Sequence, residues 1–249
     1  MLVDYLARGV TAGVAAGLVF GLFLAVVANP FVGYADTMAH GGHDHAGGDH
    51  ADQDAVVSPG VTSGASVLAG VLWAVLLGGV TFGVAFYLLE PAIPGQGATK
   101  SYLLGLAGFV TVSGAPWLVL PPATPGAEQS LPVATRVALY GGMMAAGAAV
   151  CLLSGYTYNR LAVERRRPVA ALAALAPVGL LAIPATLAPT NTLSGTLSPG
   201  LQAGLVGLVG FGQGLLWLSL AVAHARLQSS TGGVWRPGET DSGSLVGAD

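Results

Sequence analysis

The sequence predicts an all-α fold: a polytopic helical membrane protein with six transmembrane helices and both termini in the cytoplasm. Three observations lead there. The 249 residues are 53% hydrophobic and only 8% charged, where an ordinary soluble domain carries roughly 25% charged residues. The apolar residues fall in six long runs, at about 7–28, 64–89, 102–120, 134–157, 168–189 and 201–224, each near the roughly 20 residues a helix needs to cross the hydrocarbon core. These runs do not alternate in polarity. Backbone amides cannot stay unpaired in lipid, so a crossing segment is a helix or a barrel strand, and continuous apolar character selects the helix.

Orientation follows from the basic residues. With the N-terminus in the cytoplasm, Arg8, Lys100, Arg160, Arg165, Arg166, Arg167, Arg226 and Arg236 lie inside and only Arg136 lies outside, which is the positive-inside bias. The linkers around 121–133 and 190–200, and the hydrophilic segment after the first run, then face outward. A cleaved signal peptide is the rival reading of the first run, since Val26-Val27-Ala28 offers small residues before Asn29. The apolar region is longer than the roughly 7–15 residues of a signal core, so it is read as a retained span.

Taken in order, the first run carries Gly9, Gly13, Gly17 and Gly21 at four-residue intervals, and residues four apart share one helix face. In lipid such a seam lets backbones approach closely, which suits internal packing or the docking of a partner helix. Related seams are expected at Gly200/Gly204 and Gly210/Gly214 in the last run. Pro91 and Pro94 close the second run, Pro121, Pro122 and Pro125 close the third, and Pro168 opens the fifth at a position that needs no N–H. Pro116, Pro177 and Pro184 lie inside runs, where each removes one helical hydrogen bond and frees a carbonyl. One bundle is therefore expected over 1–225, followed by a disordered cytoplasmic tail over 226–249 that is rich in Gly, Ser and Thr.

Several function classes are excluded by what the chain lacks. The net charge of −3 comes with no basic stripe interleaved with aromatics, so nucleic acid is not a partner. Gly95-Gln96-Gly97-Ala98-Thr99-Lys100-Ser101 fails the spacing of a phosphate loop, and the chain has no ATP-binding motif. No Ser/His/Asp set, paired carboxylates or HExxH motif is present, so an enzyme is not expected. Cys151 is the single cysteine and forms no intrachain disulfide. The remaining partner is membrane lipid.

The segment between the first two runs carries the chemistry. It reads Asp36-Thr37-Met38-Ala39-His40-Gly41-Gly42-His43-Asp44-His45-Ala46-Gly47-Gly48-Asp49-His50-Ala51-Asp52-Gln53-Asp54 and holds four of the five histidines. Imidazole and carboxylate ligate divalent transition metals, and no Lys or Arg interrupts them. The candidate metal ligands are His40, His43, His45, His50, Asp36, Asp44 and Asp49, brought to one ion by the flexible glycines between them. Free imidazole titrates near 6.5, so capture by such a set weakens as pH falls below that value. Ordering ten or so residues costs on the order of 10 kcal/mol, which offsets much of the roughly 10–16 kcal/mol gained by structural zinc peptides. Binding is therefore expected to be exchangeable. Ligand type does not choose among Co(II), Ni(II), Zn(II) and Cu(II).

No Asp, Glu, Lys or Arg lies near the middle of a run, so the intramembrane charges that usually mark ion paths are absent. Softer candidates are Met143, Met144 and Cys151 in the fourth run, Gln202 and Gln213 in the sixth, and Glu90, Arg136 and His224 near run ends. For each, a packing or helix-end role is the plainer reading.

These residues also carry a resemblance. The stretch Arg8-Gly9, Ala12-Gly13 and Ala16-Gly17-Leu18, the exit Asn29-Pro30 and Ala35-Asp36 followed by histidines, and the series Gly105-Leu106-Ala107-Gly108-Phe109, Ala115-Pro116, Leu120-Pro121-Pro122 and Pro125-Gly126 with Arg136 and Tyr140 resemble the CbtA family of predicted cobalt transporter subunits. The resemblance implies a multi-pass cell-membrane subunit for cobalt uptake, associated with cobalamin biosynthesis and working with CbtB, a small single-span partner bearing its own histidine motif. Asp36 and His40 match the family's acidic-then-histidine region; His43, His45 and His50 extend beyond it. Two readings stand side by side. One is a subunit that captures Co(II), or a similar ion, outside and passes it inward. The other is a non-transporting scaffold or metal sensor that docks a partner helix through its glycine seam.

Overall fold

A computed structural model describes residues 2–40, 59–124, 127–195 and 197–231, and these are helical almost throughout. The first run becomes α1 (Leu2–Phe23), a wider π-helical stretch (Leu24–Ala28) and α2 (Asn29–His40), continuous with one another. The expected exit at Asn29-Pro30 is thus a passage. Proline lacks an N–H and its ring crowds the carbonyl four residues back, and the wide turn just before Pro30 gives that carbonyl room. The same device recurs in the third run, where α5 (Ala98–Phe109), a π stretch (Val110–Gly114) and α6 (Ala115–Trp117) carry the chain past Pro116.

The second run is α3 (Pro59–Val75), a π stretch (Leu76–Phe82) and α4 (Gly83–Leu89); the fourth is α7 (Val133–Glu164) and the last α10 (Pro199–Thr231). The fifth breaks into α8 (Arg167–Ala173), a 3-10 stretch (Ala176–Leu181) and α9 (Ala182–Leu187), because Pro177 and Pro184 interrupt its hydrogen bonding. Among the described residues, five helices are long and apolar enough to cross a membrane: Leu2–Ala35, Val67–Leu89, Val133–Glu164, Arg167–Leu187 and Pro199–Ser229. The third expected span, α5 to α6, is not among them. Its sequence holds Lys100, Ser101, Thr111 and Ser113, and it lies among other helices with Ser101, Leu104, Gly105, Ser113, Ala115 and Pro116 buried. A helix walled by protein tolerates polar groups that a lipid-facing one does not. α10 runs on to Thr231, past the boundary at 225, and residues 232–249 of the expected tail lie outside the described residues.

α1 is the centre of one half of the bundle, with α3 to α4 along one side and α10 along another. The glycine seam makes the first contact possible. A methyl group on Gly9 would lie 2.6 Å from the Gly78 carbonyl oxygen, on Gly17 2.6 Å from Val71 Cα, and on Gly21 2.8 Å from Val67 Cα; on Gly13 it would strike the Ala74 carbonyl. Of the two uses expected for this seam, packing within the chain is the one realised. The seams expected in α10 shift. Gly204 and Gly212 face Phe31 and the Phe20/Phe23 pair, whereas Gly200, Gly207, Gly210 and Gly214 meet no side chain.

α5 joins the halves. It packs on α10, and its continuation through α6 packs on α7, which also holds the 3-10 stretch and α8. One core gathers Ala12, Ala16, Phe82, Phe86, Leu104 and Trp217. The other gathers Ala115, Val119, Met143, Val150 and Leu181. Beyond α6, β1 (Glu128–Gln129) and β2 (Leu193–Ser194) form a two-residue antiparallel ladder, Glu128 opposite Ser194 and Gln129 opposite Leu193. Asn191 reinforces it by donating to Gln129 Oε1 at 3.0 Å and accepting from the Leu131 N–H at 3.3 Å. The linkers 121–133 and 190–200 therefore lie together.

Candidate functional site

Of the seven expected metal ligands, Asp36 and His40 fall within the bounds of α2. The helix reaches further into the histidine segment than the expected loop allowed. His43, Asp44, His45, Asp49 and His50 lie outside the described residues. Among the described residues no group of three or more His, Cys, Asp or Glu comes together to hold a metal.

The softer candidates resolve into distinct roles. Met143 is buried in the second core, and Cys151 Sγ points at the Ala107 carbonyl at 3.8 Å. Gln202 closes the start of α10 by donating to the Leu197 carbonyl at 2.9 Å. Gln213 Oε1 accepts from the buried Ser113 hydroxyl at 3.3 Å, which joins α10 to the π stretch of the third run. Arg136 lines an open cleft of about 330 Å³ with Leu120, Gln129, Val133, Val137 and Tyr140. These groups do not form one constellation.

The polar groups that do converge lie where α1 begins, α4 ends, α5 begins and α10 ends. Glu90, at the end of α4, receives the Tyr5 hydroxyl on Oε2 at 2.6 Å. Lys100, in the first turn of α5, donates to the Glu90 carbonyl at 2.9 Å and stands 3.6 Å from its Oε1. One residue thus pins three helices. Arg8 lies over the Tyr5 ring, 5.4 Å from its centre, and Asn159 of α7 donates to the Ala92 carbonyl at 2.8 Å in the turn that follows Glu90. That turn is tight because Gly95 and Gly97 take positive φ, 90° and 52°, a conformation that suits residues without a side chain.

Behind this clamp His224 is fully enclosed. Its ring centre lies 4.5 Å from that of Phe86 and 5.1 Å from that of Phe82. Its Nδ1 is 2.9 Å from the Ser101 hydroxyl, which also reaches Gln228 Oε1 at 3.4 Å. Sequence reading singled out Glu90 and His224 but missed Tyr5, Ser101 and Lys100 as their partners. The signal available was position: all five fall at ends of runs assigned to one side of the membrane, so they had the opportunity to meet.

Comparison with known proteins places the chain. No curated protein and no solved structure matches it. The sequence profile of the CbtA family, described as probable cobalt transporter subunit, matches residues 2–229. With most of its length covered by that match and five long apolar helices, the chain is a multi-pass membrane protein and belongs to the CbtA family of probable cobalt transporter subunits.

Proposed function

We propose that this chain is a six-span subunit that captures a divalent transition metal, Co(II) in the first place, on the outer face and passes it inward with a small single-span partner. The observation that carries the reading is the family match over residues 2–229, whose description names cobalt, transport and a subunit. A subunit implies a companion, and the role requires no bond-making by this chain.

The two ends of the bundle support six crossings with cytoplasmic termini. Tyr5, Glu90, Lys100, Asn159 and His224 gather at one end, the side to which the basic residues assign the cytoplasm. The linkers 121–133 and 190–200 meet in the β ladder. α5 starts at the clamp beside Glu90, and the chain leaving α6 enters the ladder, which is the path of a sixth crossing. We assign the His/Asp segment 36–54 to the outer face, because it follows a first span that starts in the cytoplasm.

There His40, His43, His45 and His50, with Asp36, Asp44 and Asp49, take the ion from outside. The test is uptake of radiolabelled cobalt at limiting supply. Deleting the gene is expected to lower uptake, and replacing the four histidines by Ala is expected to lower it without lowering membrane abundance. Unchanged uptake in the deletion strain removes the proposal. The scaffold alternative loses its ground, because the glycine seam it needs is filled by α3 to α4.

A further inference from the structure

At the ladder end of the bundle, Arg136 has no part in metal capture. It stands in the first turn of α7, and its Nε is buried with no hydrogen-bond partner among the described residues. A guanidinium carries five N–H donors and keeps its charge in proteins. A buried charged donor costs free energy until an acceptor reaches it. In the linkers 121–133 and 190–200 the single charged residue is Glu128. Glu128 and Gln129 are successive residues of β1, so their side chains point to opposite faces, and Gln129 is the one that lines the cleft with Arg136.

The polar groups of the cleft select the charge of its ligand. Gln129 Oε1 already accepts from Asn191, so this amide offers its N–H2, and the Tyr140 hydroxyl is committed to the Val112 carbonyl. Donors and a fixed positive charge take an anion and repel a metal ion. The remaining wall is apolar and has a direction. Val133, Val137 and Tyr140 follow one another at intervals of four and three, a stripe along α7. Val133 and Val137 are each 66% exposed, and a side chain at Gly141 would meet nothing within 4 Å. From Arg136 the groove thus runs along a membrane-crossing helix, charged at the helix start and apolar toward its middle. A phospholipid has the same polarity, with phosphate at the interface and chains toward the bilayer centre. At about 330 Å³ the cleft is at the small end of ligand pockets, roughly 300–1,000 Å³, so it takes the head group while the chains lie along the valines.

We propose that this cleft binds one anionic phospholipid, its phosphate paired with Arg136 and its upper acyl chain against Val133, Val137 and Tyr140. The planar guanidinium can meet two phosphate oxygens at once, and the Gln129 N–H2 supplies a further donor. A zwitterionic head group brings its own cation to the same guanidinium and is the poorer ligand. With Arg136 on α7 and Gln129 on β1 holding one phosphate, the lipid ties the start of α7 to the ladder. The inference requires only that the chain crosses a membrane, and it is independent of which metal the chain handles.

The full-length protein, stripped of lipid in detergent and free of metal, is titrated with dioleoylphosphatidylglycerol and followed by native mass spectrometry and thermal denaturation. One tightly held lipid that raises Tm is expected. Arg136→Gln is expected to weaken it about tenfold, the worth of a hydrogen bond to a charged group, with Arg136→Lys in between. Val137→Trp fills the cleft from an exposed position and leaves the guanidinium in place. It is expected to weaken the same lipid while keeping the native Tm in the absence of lipid, which separates loss of the site from misfolding. A phosphatidylglycerol carrying a photoreactive group on its acyl chain is expected to label residues 133–141. Equal affinity in the native protein and Arg136→Gln, undiminished binding in Val137→Trp, or labelling confined to other segments overturns the inference. So does equal affinity for dioleoylphosphatidylcholine. Inorganic phosphate that raises Tm alone and displaces the lipid would make the cleft a phosphate site and overturn the lipid. None of these results bears on cobalt uptake, so the transport reading stands or falls apart from them.

Discussion

The Tyr140 hydroxyl of α7 donates a hydrogen bond to the carbonyl of Val112, in the π stretch of the third run. Val112 is the residue four before Pro116, which has no N–H to offer that carbonyl. A tyrosine from another helix thus gives this carbonyl a donor that the proline cannot supply. Tyr140→Phe is expected to destabilise the protein by about 1 kcal/mol, the usual net worth of such a bond. In a Pro116→Ala background the helix can supply its own donor, so the same change is expected to cost less. A double-mutant cycle on detergent-solubilised protein measures the difference, and additive effects would refute the pairing.

The glycine seam offers a contrast within one protein. Gly13→Val would drive a side chain into the Ala74 backbone, and overpacking of this kind costs roughly 1–3 kcal/mol. Gly207→Ala enters open space and removes a flexible residue from a helix interior, a gain of roughly 0.5–1 kcal/mol. Thermal denaturation of the two purified variants should move in opposite directions. Equal loss of stability would mean that the face carrying Gly207 is also packed.

Glu90 holds Tyr5 and Lys100 together. Its side chain is about one third exposed, so solvent weakens the charge pair, and the Tyr5 bond carries most of the effect. Glu90→Ala is expected to cost about 1 kcal/mol and to speed amide hydrogen exchange at the start of α1 and across 90–100. The Lys100 bond to the Glu90 carbonyl survives that change, so exchange across 90–100 should stay slower than in Lys100→Ala. The reverse order would place the tie in the carboxylate instead.

Sidedness is open to chemical labelling, because the chain has a single cysteine. In a Cys151→Ala background, Ala46→Cys is expected to react with a membrane-impermeant maleimide added to intact cells, and Arg166→Cys only after the membrane is opened. The opposite pattern would invert the bundle and put the histidine segment in the cytoplasm.

Much of this arrangement was legible in the chain because the bilayer imposes a length and a polarity that each run meets or fails locally. The runs ending near 89 and 157 became helices ending at Leu89 and Glu164, and Gly9 to Gly21 read as a packing face from spacing alone. Boundaries were less legible. Asn29-Pro30 looked like an exit because proline breaks an α-helix, but a π turn lets the chain continue, and that compensation has no sequence mark as plain as the proline. In α10 the seam at Gly204 and Gly212 was misplaced because four-residue spacing names a face without naming its neighbour; Phe20, Phe23 and Phe31 chose it.

Composition and periodicity settle that this is a helical membrane protein, where its helices fall, and which residues have the chemistry to hold a metal, since all of these depend on near neighbours along the chain. Which hydroxyl meets which acceptor is decided across long separations. Ser101 and His224 are 123 positions apart and Tyr5 and Glu90 are 85, and nothing local to any of them announces the partner. Those meetings depend on how helices cross and turn against one another, a property of the packed whole.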